Sequence, residues 1–124
     1  MVGKRVLSVG QCFADHSAIS RTLEKAFAAE VVAADDAGEA LARLRQEAFD
    51  LVLVNRIFDR DGSQGLNLIK QITADDTLKR LPVMLVSNYE DSQQQAVACG
   101  AVAGFGKAAL GQPHMLGRVR QILR

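Results

Sequence analysis

The segment Asp50-Leu-Val-Leu-Val-Asn55 (DLVLVN) runs without interruption through four aliphatic residues and ends on a polar amide. A continuous apolar run of this length is typical of a strand that is buried on both faces of a parallel sheet. A second run of the same kind, Val83–Val86 (VMLV), follows the helix-breaking pair Leu81-Pro82. Two fully apolar strands in a chain of 124 residues predict a sheet that is covered by helices on both sides.

Strand and helix patterns alternate along the rest of the chain. Three further strands are predicted at residues 5–9, 31–34 and 101–105, and glycine weakens the last of them. Apolar residues at helical spacing predict helices within residues 15–29, 36–48, 91–98 and 113–123, and a further helix that begins at Leu66 and is broken by Leu81-Pro82. This alternation predicts an α/β three-layer sandwich, with one parallel sheet, five strands and five helices, in a single domain over residues 1–124.

Capping residues refine the helix boundaries. Asp15 is expected to cap the first helix, and Asp36 followed by Glu39 resembles a capping box at the second. Asp91 or Ser92 is expected to cap the fourth helix. Gly100 is predicted to end the fourth helix and Pro113 to lie in the first turn of the fifth, as both residue types commonly do.

Composition and charge exclude several functional classes. The formal net charge is +1 with the two signs interleaved, so no basic face for nucleic acid is expected. No apolar run approaches the ~20 residues of a membrane span, and the N-terminus lacks a signal-peptide pattern. Cys12 and Cys99 are expected at opposite ends of the sheet and therefore unpaired. We expect a cytoplasmic protein that contacts neither nucleic acid nor membrane.

In a parallel α/β sheet the functional crevice lies beyond the carboxyl ends of the strands. The residues that follow each predicted strand are therefore expected to meet there. These residues are Gly10, Gln11, Asn55, Arg56, Ser87, Asn88, Gly106 and Lys107.

At these positions the chain resembles a response-regulator receiver domain of two-component signalling. The motifs that carry the resemblance are DLVLVN, GLNLIKQI, LPVMLVS, CGAVAGFGK and RVRQIL, and the likeness extends from Arg5 to Leu123. It implies a flavodoxin-like sheet with strand order 2-1-3-4-5, the first and fifth helices on one face and the other three on the opposite face.

The resemblance also implies a set of site positions. In that family an aspartate accepts a phosphoryl group from a histidine kinase, and an acidic pair together with that aspartate holds Mg²⁺. By position, the acceptor falls on Asn55 and the acidic pair on Gly10 and Gln11. The hydroxyl and lysine that contact the phosphoryl oxygens fall on Ser87 and Lys107.

The departures from the family pattern decide the functional hypothesis. A neutral amide such as Asn55 is a poor nucleophile, and without the three carboxylates no Mg²⁺ or other cofactor is expected. Lys107 could bind a phosphate or another anion, or it could equally donate hydrogen bonds to Asn55 and a carbonyl. In either case we expect a pocket with Lys107 and Arg56 and without a counter-charge. Gly104 stands where the family carries an aromatic residue, and the loop after Asn55 is two residues longer than usual.

The leading hypothesis is a stand-alone, degenerate pseudo-receiver of a phosphorelay that binds other proteins and is not an enzyme. Its partners would be a histidine kinase, an effector or a second copy, since no output domain is expected beyond Arg124. By family analogy the contact face would lie on the fourth helix, fifth strand and fifth helix. Its predicted contributors are Gln93, Gln94, Gln95, Phe105, His114 and Arg118.

Two alternatives remain open at the level of sequence. A different carboxylate in the loop, Asp59 or Asp61, could accept a phosphoryl group, although a solvated turn is the simpler interpretation. The crevice could instead bind a small anion or a cofactor such as a flavin, held by Lys107.

Overall fold

A computed structural model describes residues 3–124, in which five strands alternate with five helices. The strands are β1 (Arg5–Val9), β2 (Glu30–Ala34), β3 (Leu51–Asn55), β4 (Val83–Val86) and β5 (Val102–Phe105). The helices are α1 (Phe13–Phe27), α2 (Ala37–Gln46), α3 (Gly65–Ala74), α4 (Glu90–Ala98) and α5 (Pro113–Leu123). The strands form one parallel sheet in the order β2-β1-β3-β4-β5, which confirms the predicted fold class and strand order.

Alternate residues of β3 supply the two hydrophobic layers. Val52 and Val54 belong to a core that also contains the apolar faces of α2, α3 and α4. Leu51 and Leu53 point to the other side, where they join the apolar residues of α1 and α5. All five residues of β3 are buried, because helices cover both faces of this central strand.

Two of the predicted helix ends are confirmed. Asp36 accepts a hydrogen bond from the Glu39 backbone N–H at 2.8 Å and so caps α2. Gly100 follows α4 with a φ of +103°, a conformation that glycine adopts without the steric cost of a Cβ.

Two other cap predictions are wrong. Helix α1 begins at Phe13 with Cys12 at the N-cap, so Asp15 lies inside the first turn. Helix α4 begins at Glu90 with Tyr89 at the N-cap, ahead of Asp91 and Ser92. Before α4 the Ser87 hydroxyl accepts from the Tyr89 N–H at 3.1 Å. This local turn leads into the helix ahead of the predicted caps, Asp91 and Ser92.

The edge between β4 and β5 is irregular, and Gln93 of α4 holds it together. The β4–β5 register shifts between Met84 and Val86. The Gln93 Nε2 donates to the carbonyls of Leu85 at 2.8 Å and Ser87 at 3.1 Å, while its Oε1 accepts from the Gly104 N–H at 3.2 Å. A Cβ at position 104 would overlap the Leu85 carbonyl oxygen, which explains the glycine there.

We predict that Gln93→Ala lowers the free energy of unfolding by about 1–3 kcal/mol, because it leaves buried backbone groups without partners. Urea unfolding followed by circular dichroism measures the change. The matched control is Gln94→Ala on the neighbouring exposed position, expected to stay within about 0.5 kcal/mol of the parent. Equal losses in the two variants would contradict the role given to Gln93.

Candidate functional site

An open cavity of about 310 Å³ lies at the carboxyl ends of β3, β4 and β5. The expected meeting of Asn55, Ser87 and Lys107 occurs here, because parallel strands end at one edge of the sheet. The full lining is Asn55, Arg56, Ile57, Val86, Ser87, Asn88, Tyr89 and Lys107.

Asn55 is committed to hydrogen bonds with the backbone. Its side chain is buried, and the Nδ2 atom donates to the carbonyl oxygens of Gly10 at 3.0 Å and Ile57 at 2.7 Å. The amide therefore ties the loop after β1 to the loop after β3. A hydrogen bond from Lys107 to Asn55, one of the two roles left open for that lysine, is not among the contacts of this side chain.

An aromatic ring closes the space above Gly10. Gly10 has a φ of +77°, and a Cβ there would lie 2.7 Å from the Cγ atom of Phe58 and closer still to the ring edge. Phe58 is 1% exposed and belongs to the core formed with α2, α3 and α4. The Asp59 N–H also donates to the Gly10 carbonyl at 3.0 Å. Position 10 therefore has no room for a side chain, acidic or otherwise.

The long loop that delivers Phe58 is itself ordered by internal contacts. The Phe58 N–H donates to the Ser63 carbonyl at 2.8 Å, and the Gly62 N–H donates to the Phe58 carbonyl at 2.9 Å. Arg60 pairs with Asp36 at 3.4 Å and lies 3.6 Å from Asp35, which joins the loop to the start of α2. Sequence reasoning noted the extra length but missed that the loop folds inward on Phe58.

Asp59 and Asp61 lie in the exposed part of this loop. The Asp61 Oδ1 accepts from the Ser63 N–H at 2.9 Å, and hydrogen bonding from Ser63 lowers the pKa of Asp61 below its ordinary value. Neither aspartate lines the cavity. This position is that of a solvated turn.

The residues at the family's metal positions do not fit Mg²⁺. Gly10 has no side chain and lies against Phe58. Gln11 is 8% exposed, and its amide atoms have no hydrogen-bond partner within residues 3–124. At Asn55 the donor atom faces two carbonyls, so no anionic oxygen is present. Mg²⁺ is ordinarily held through carboxylate oxygens, and this donor set is neutral.

Lys107 has a counter-charge that sequence reasoning did not assign. Its Nζ lies 2.6 Å from a carboxylate oxygen of Asp15, and both side chains are about one-third exposed. The pKa of Asp15 lies below its ordinary value, and the hydrogen bond from Lys107 is the main cause. The expectation of a lysine without a counter-charge is therefore corrected. Asp15 lies in the first turn of α1 and Lys107 lies in the turn after β5, so both residues are near the carboxyl edge of the sheet, where the ion pair forms.

Arg56 makes a contact that was not foreseen. Its guanidinium lies 4.8 Å from the centroid of the Tyr89 ring, a cation–π arrangement at the mouth of the cavity. The pairing joins the residue after β3 to the turn before α4. A sequence signal existed, since Arg56 and Tyr89 both follow neighbouring strands, but side-chain stacking is not encoded in spacing.

Helix α4, strand β5 and helix α5 form the face on which partner contacts were predicted. Gln94, Gln95, His114 and Arg118 are exposed there, and Arg118 also donates to the Gly104 carbonyl. Phe105 is only 4% exposed because it packs into the core beneath α1 and α5, so its assignment to the face is corrected. Gln93 is half-buried, and its side chain is hydrogen-bonded to the backbone at the β4–β5 edge.

Comparisons with known proteins converge on one family. The model of the response regulator receiver domain matches residues 13–112. Among curated proteins, the chemotaxis protein CheY-3 of Vibrio cholerae serotype O1 is 35% identical over 71 residues, 57% of this chain and 52% of that protein. The matched region thus spans about half the length of this relative. No helix within residues 3–124 has the length and hydropathy needed to cross a membrane.

Solved structures share the fold over nearly the whole chain. A response regulator from Thermotoga maritima is 27% identical with a TM-score of 0.76, and the match covers 98% of each chain. A response-regulator structure from Chloroflexus aurantiacus J-10-fl is 21% identical with a TM-score of 0.87, again over 98% of each chain. The second likeness, at this low identity, concerns the fold alone.

Proposed function

The chain belongs to the response regulator receiver domain family, and from that membership we propose that it is a degenerate receiver which acts by binding proteins rather than by aspartyl phosphorylation. One observation carries the proposal. The Asn55 amide donates to the carbonyls of Gly10 and Ile57, so the acceptor position is used to brace two loops. A neutral amide that presents its nitrogen to carbonyls offers no nucleophilic oxygen there.

The consequence concerns conformational control. A ligand shifts an equilibrium only when it binds the two states with different affinity. In an ordinary receiver the phosphoryl group and its metal supply that difference. Here Phe58 fills the space at Gly10, and Asp15 forms an ion pair with Lys107. The proposed conformation therefore depends on neither a phosphoryl group nor a metal ion.

Protein contacts would then carry the signal within a two-component pathway of the cytoplasm. The exposed residues Gln94, His114 and Arg118 on the face of α4, β5 and α5 are the proposed contact points. A histidine kinase, a downstream effector or a second copy of the chain could occupy this face. Nucleic acid is not proposed as a partner, given the net charge of +1.

We predict that acetyl phosphate with Mg²⁺ adds no phosphoryl group to the protein, as measured by intact mass. In parallel, capture of partners from an extract of the native cell is expected to be the same with and without acetyl phosphate. The physical reason is the lack of a carboxylate at position 55, where an acyl phosphate would form.

A receiver with intact carboxylates serves as the positive control for the reagent. A mass gain of one phosphoryl group that is lost in Asp59→Asn or Asp61→Asn would replace our proposal with phosphorylation at the exposed loop. Partner capture that requires acetyl phosphate would equally contradict it.

A further inference from the structure

Helix α4 is attached to the sheet by few apolar contacts. Of the residues of α4, all of which the structure describes, only Ala96 is buried, whereas α3 buries four residues and α5 three. Val97, the largest apolar side chain of α4, is 46% exposed. The methyl group of one alanine removes little apolar surface from water, so apolar burial holds α4 only weakly. Polar contacts therefore supply much of the attachment of this helix.

Gln93, one turn before Ala96, makes these polar contacts. Its Nε2 donates to the carbonyls of Leu85 at 2.8 Å and Ser87 at 3.1 Å, which ties α4 to β4 and to the residue that follows it. Its Oε1 accepts from the Gly104 N–H at 3.2 Å, which ties the same helix to β5. The two ends of one amide therefore fix α4 on two neighbouring strands.

The peptide groups of Gly104 connect helix α5 to the same place. Arg118 of α5 donates to the Gly104 carbonyl, and α5 packs on the layer of the sheet opposite to α4. A Cβ at position 104 would overlap the Leu85 carbonyl oxygen and lie 3.1 Å from the Gln93 Oε1 atom. Position 104 therefore has no room for a side chain whose change of rotamer could move the helices.

We propose that the hydrogen bonds of Gln93 and Arg118 to Gly104 lock α4 and α5 on β5, so that the face of α4, β5 and α5 is permanently assembled. The inference rests on the proposed function, because it states how the contact face of that function is regulated. A partner meets a surface with a single arrangement, and its affinity is not reduced by a conformational equilibrium of α4. Occupancy of the face is then set by the concentration of the partner.

The test compares the backbone amides of α4 and β4 by NMR. In the parent, relaxation dispersion should detect no microsecond-to-millisecond exchange at residues 90–98 and 102–105. In Gln93→Ala these amides should show exchange, and the hydrogen-exchange protection of α4 should fall relative to that of β4 by about tenfold or more. The ratio of protection between the two elements separates local release of α4 from a loss of global stability, which lowers the protection of both.

Gln93→Met separates hydrogen bonding from packing, because methionine has a similar length but carries no N–H donor. This variant should release α4 as Gln93→Ala does. Gln94→Ala is the matched control, since Gln94 is the next residue of the same helix and is exposed. It should leave the dispersion profile and the protection ratio of the parent unchanged.

Exchange at α4 in the parent would overturn the proposed lock. A protection ratio that stays at the parent value in Gln93→Met would equally overturn it, because packing rather than hydrogen bonding would then hold the helix. Phosphorylation of the parent by acetyl phosphate would contradict the proposed function instead. In that case the comparison of α4 with β4 would still judge the lock.

Discussion

Gly10→Ala is expected to lower the free energy of unfolding by roughly 2–5 kcal/mol, because strain and overlap add at this position. The backbone has a φ of +77°, and the new Cβ would lie 2.7 Å from Phe58 Cγ. Gly62→Ala is the matched control, with a φ of +72° and no atom within 4 Å of the new Cβ. Its free energy of unfolding should fall by only roughly 1–2 kcal/mol, the cost of a left-handed backbone conformation for a residue with a Cβ. Urea unfolding followed by circular dichroism measures both.

The overlap with Phe58 can be isolated by a double-mutant cycle. Phe58→Ala alone should cost about 3–5 kcal/mol, since the ring is 1% exposed in the core. In the Phe58→Ala background, Gly10→Ala should cost no more than Gly62→Ala does in the parent. Purely additive losses would mean that the ring does not determine the glycine, and would contradict this account.

Asn55→Asp is expected to destabilise the fold by about 2–4 kcal/mol at neutral pH, and not to restore phosphorylation. The substitution replaces a donor that serves Gly10 and Ile57 with an anionic oxygen that faces both carbonyls. Burial and the carbonyl dipoles raise the pKa of the new carboxyl in the folded state above its unfolded value. The penalty is therefore largest above that folded pKa and decreases as the carboxyl protonates at lower pH.

Asn88→Asp is the matched control for this change. Asn88 is exposed in the same cavity, and its side chain accepts from the Ala108 N–H through Oδ1, a role that a carboxylate can fill. The free energy of unfolding of this variant should stay within about 0.5 kcal/mol of the parent. Denaturant unfolding at pH 5 and pH 7.5 measures the loss of stability and its pH dependence. Intact mass after incubation with acetyl phosphate tests whether the variant is phosphorylated. An Asn55→Asp variant as stable as the parent, or one that gains a phosphoryl group, would disprove the bracing role.

The sequence was sufficient for the fold and for which residues meet. Apolar runs such as Leu51–Val54 specify buried strands, and parallel strands bring the residues after them to one edge, so Asn55, Ser87 and Lys107 could be placed together. The direction of the Asn55 amide could not be predicted, because it depends on the loop carbonyls around it. An asparagine side chain can donate through Nδ2 or accept through Oδ1, and the sequence does not say which atom faces the loop.

Three contacts escaped sequence reasoning for a common reason. The Phe58–Gly10 contact, the Asp15–Lys107 pair and the Arg56–Tyr89 stack each join residues from different loops or helix ends. Periodicity describes which face a residue occupies, not how far a loop side chain reaches. Phe105 illustrates the converse, since family analogy placed it on the contact face, whereas its side chain is buried in the core with the apolar residues of α1 and α5.

The Phe58 ring over Gly10 also constrains how this protein can evolve. An acid at position 10 is blocked while Phe58 remains inside, and removing Phe58 first opens a void in the core. An aspartate at position 55 meets two carbonyls unless the neighbouring loops have moved. A single substitution that places an acid at position 10 or position 55 is therefore expected to cost folding stability. An acidic site at these two positions would need changes in the surrounding loops at the same time.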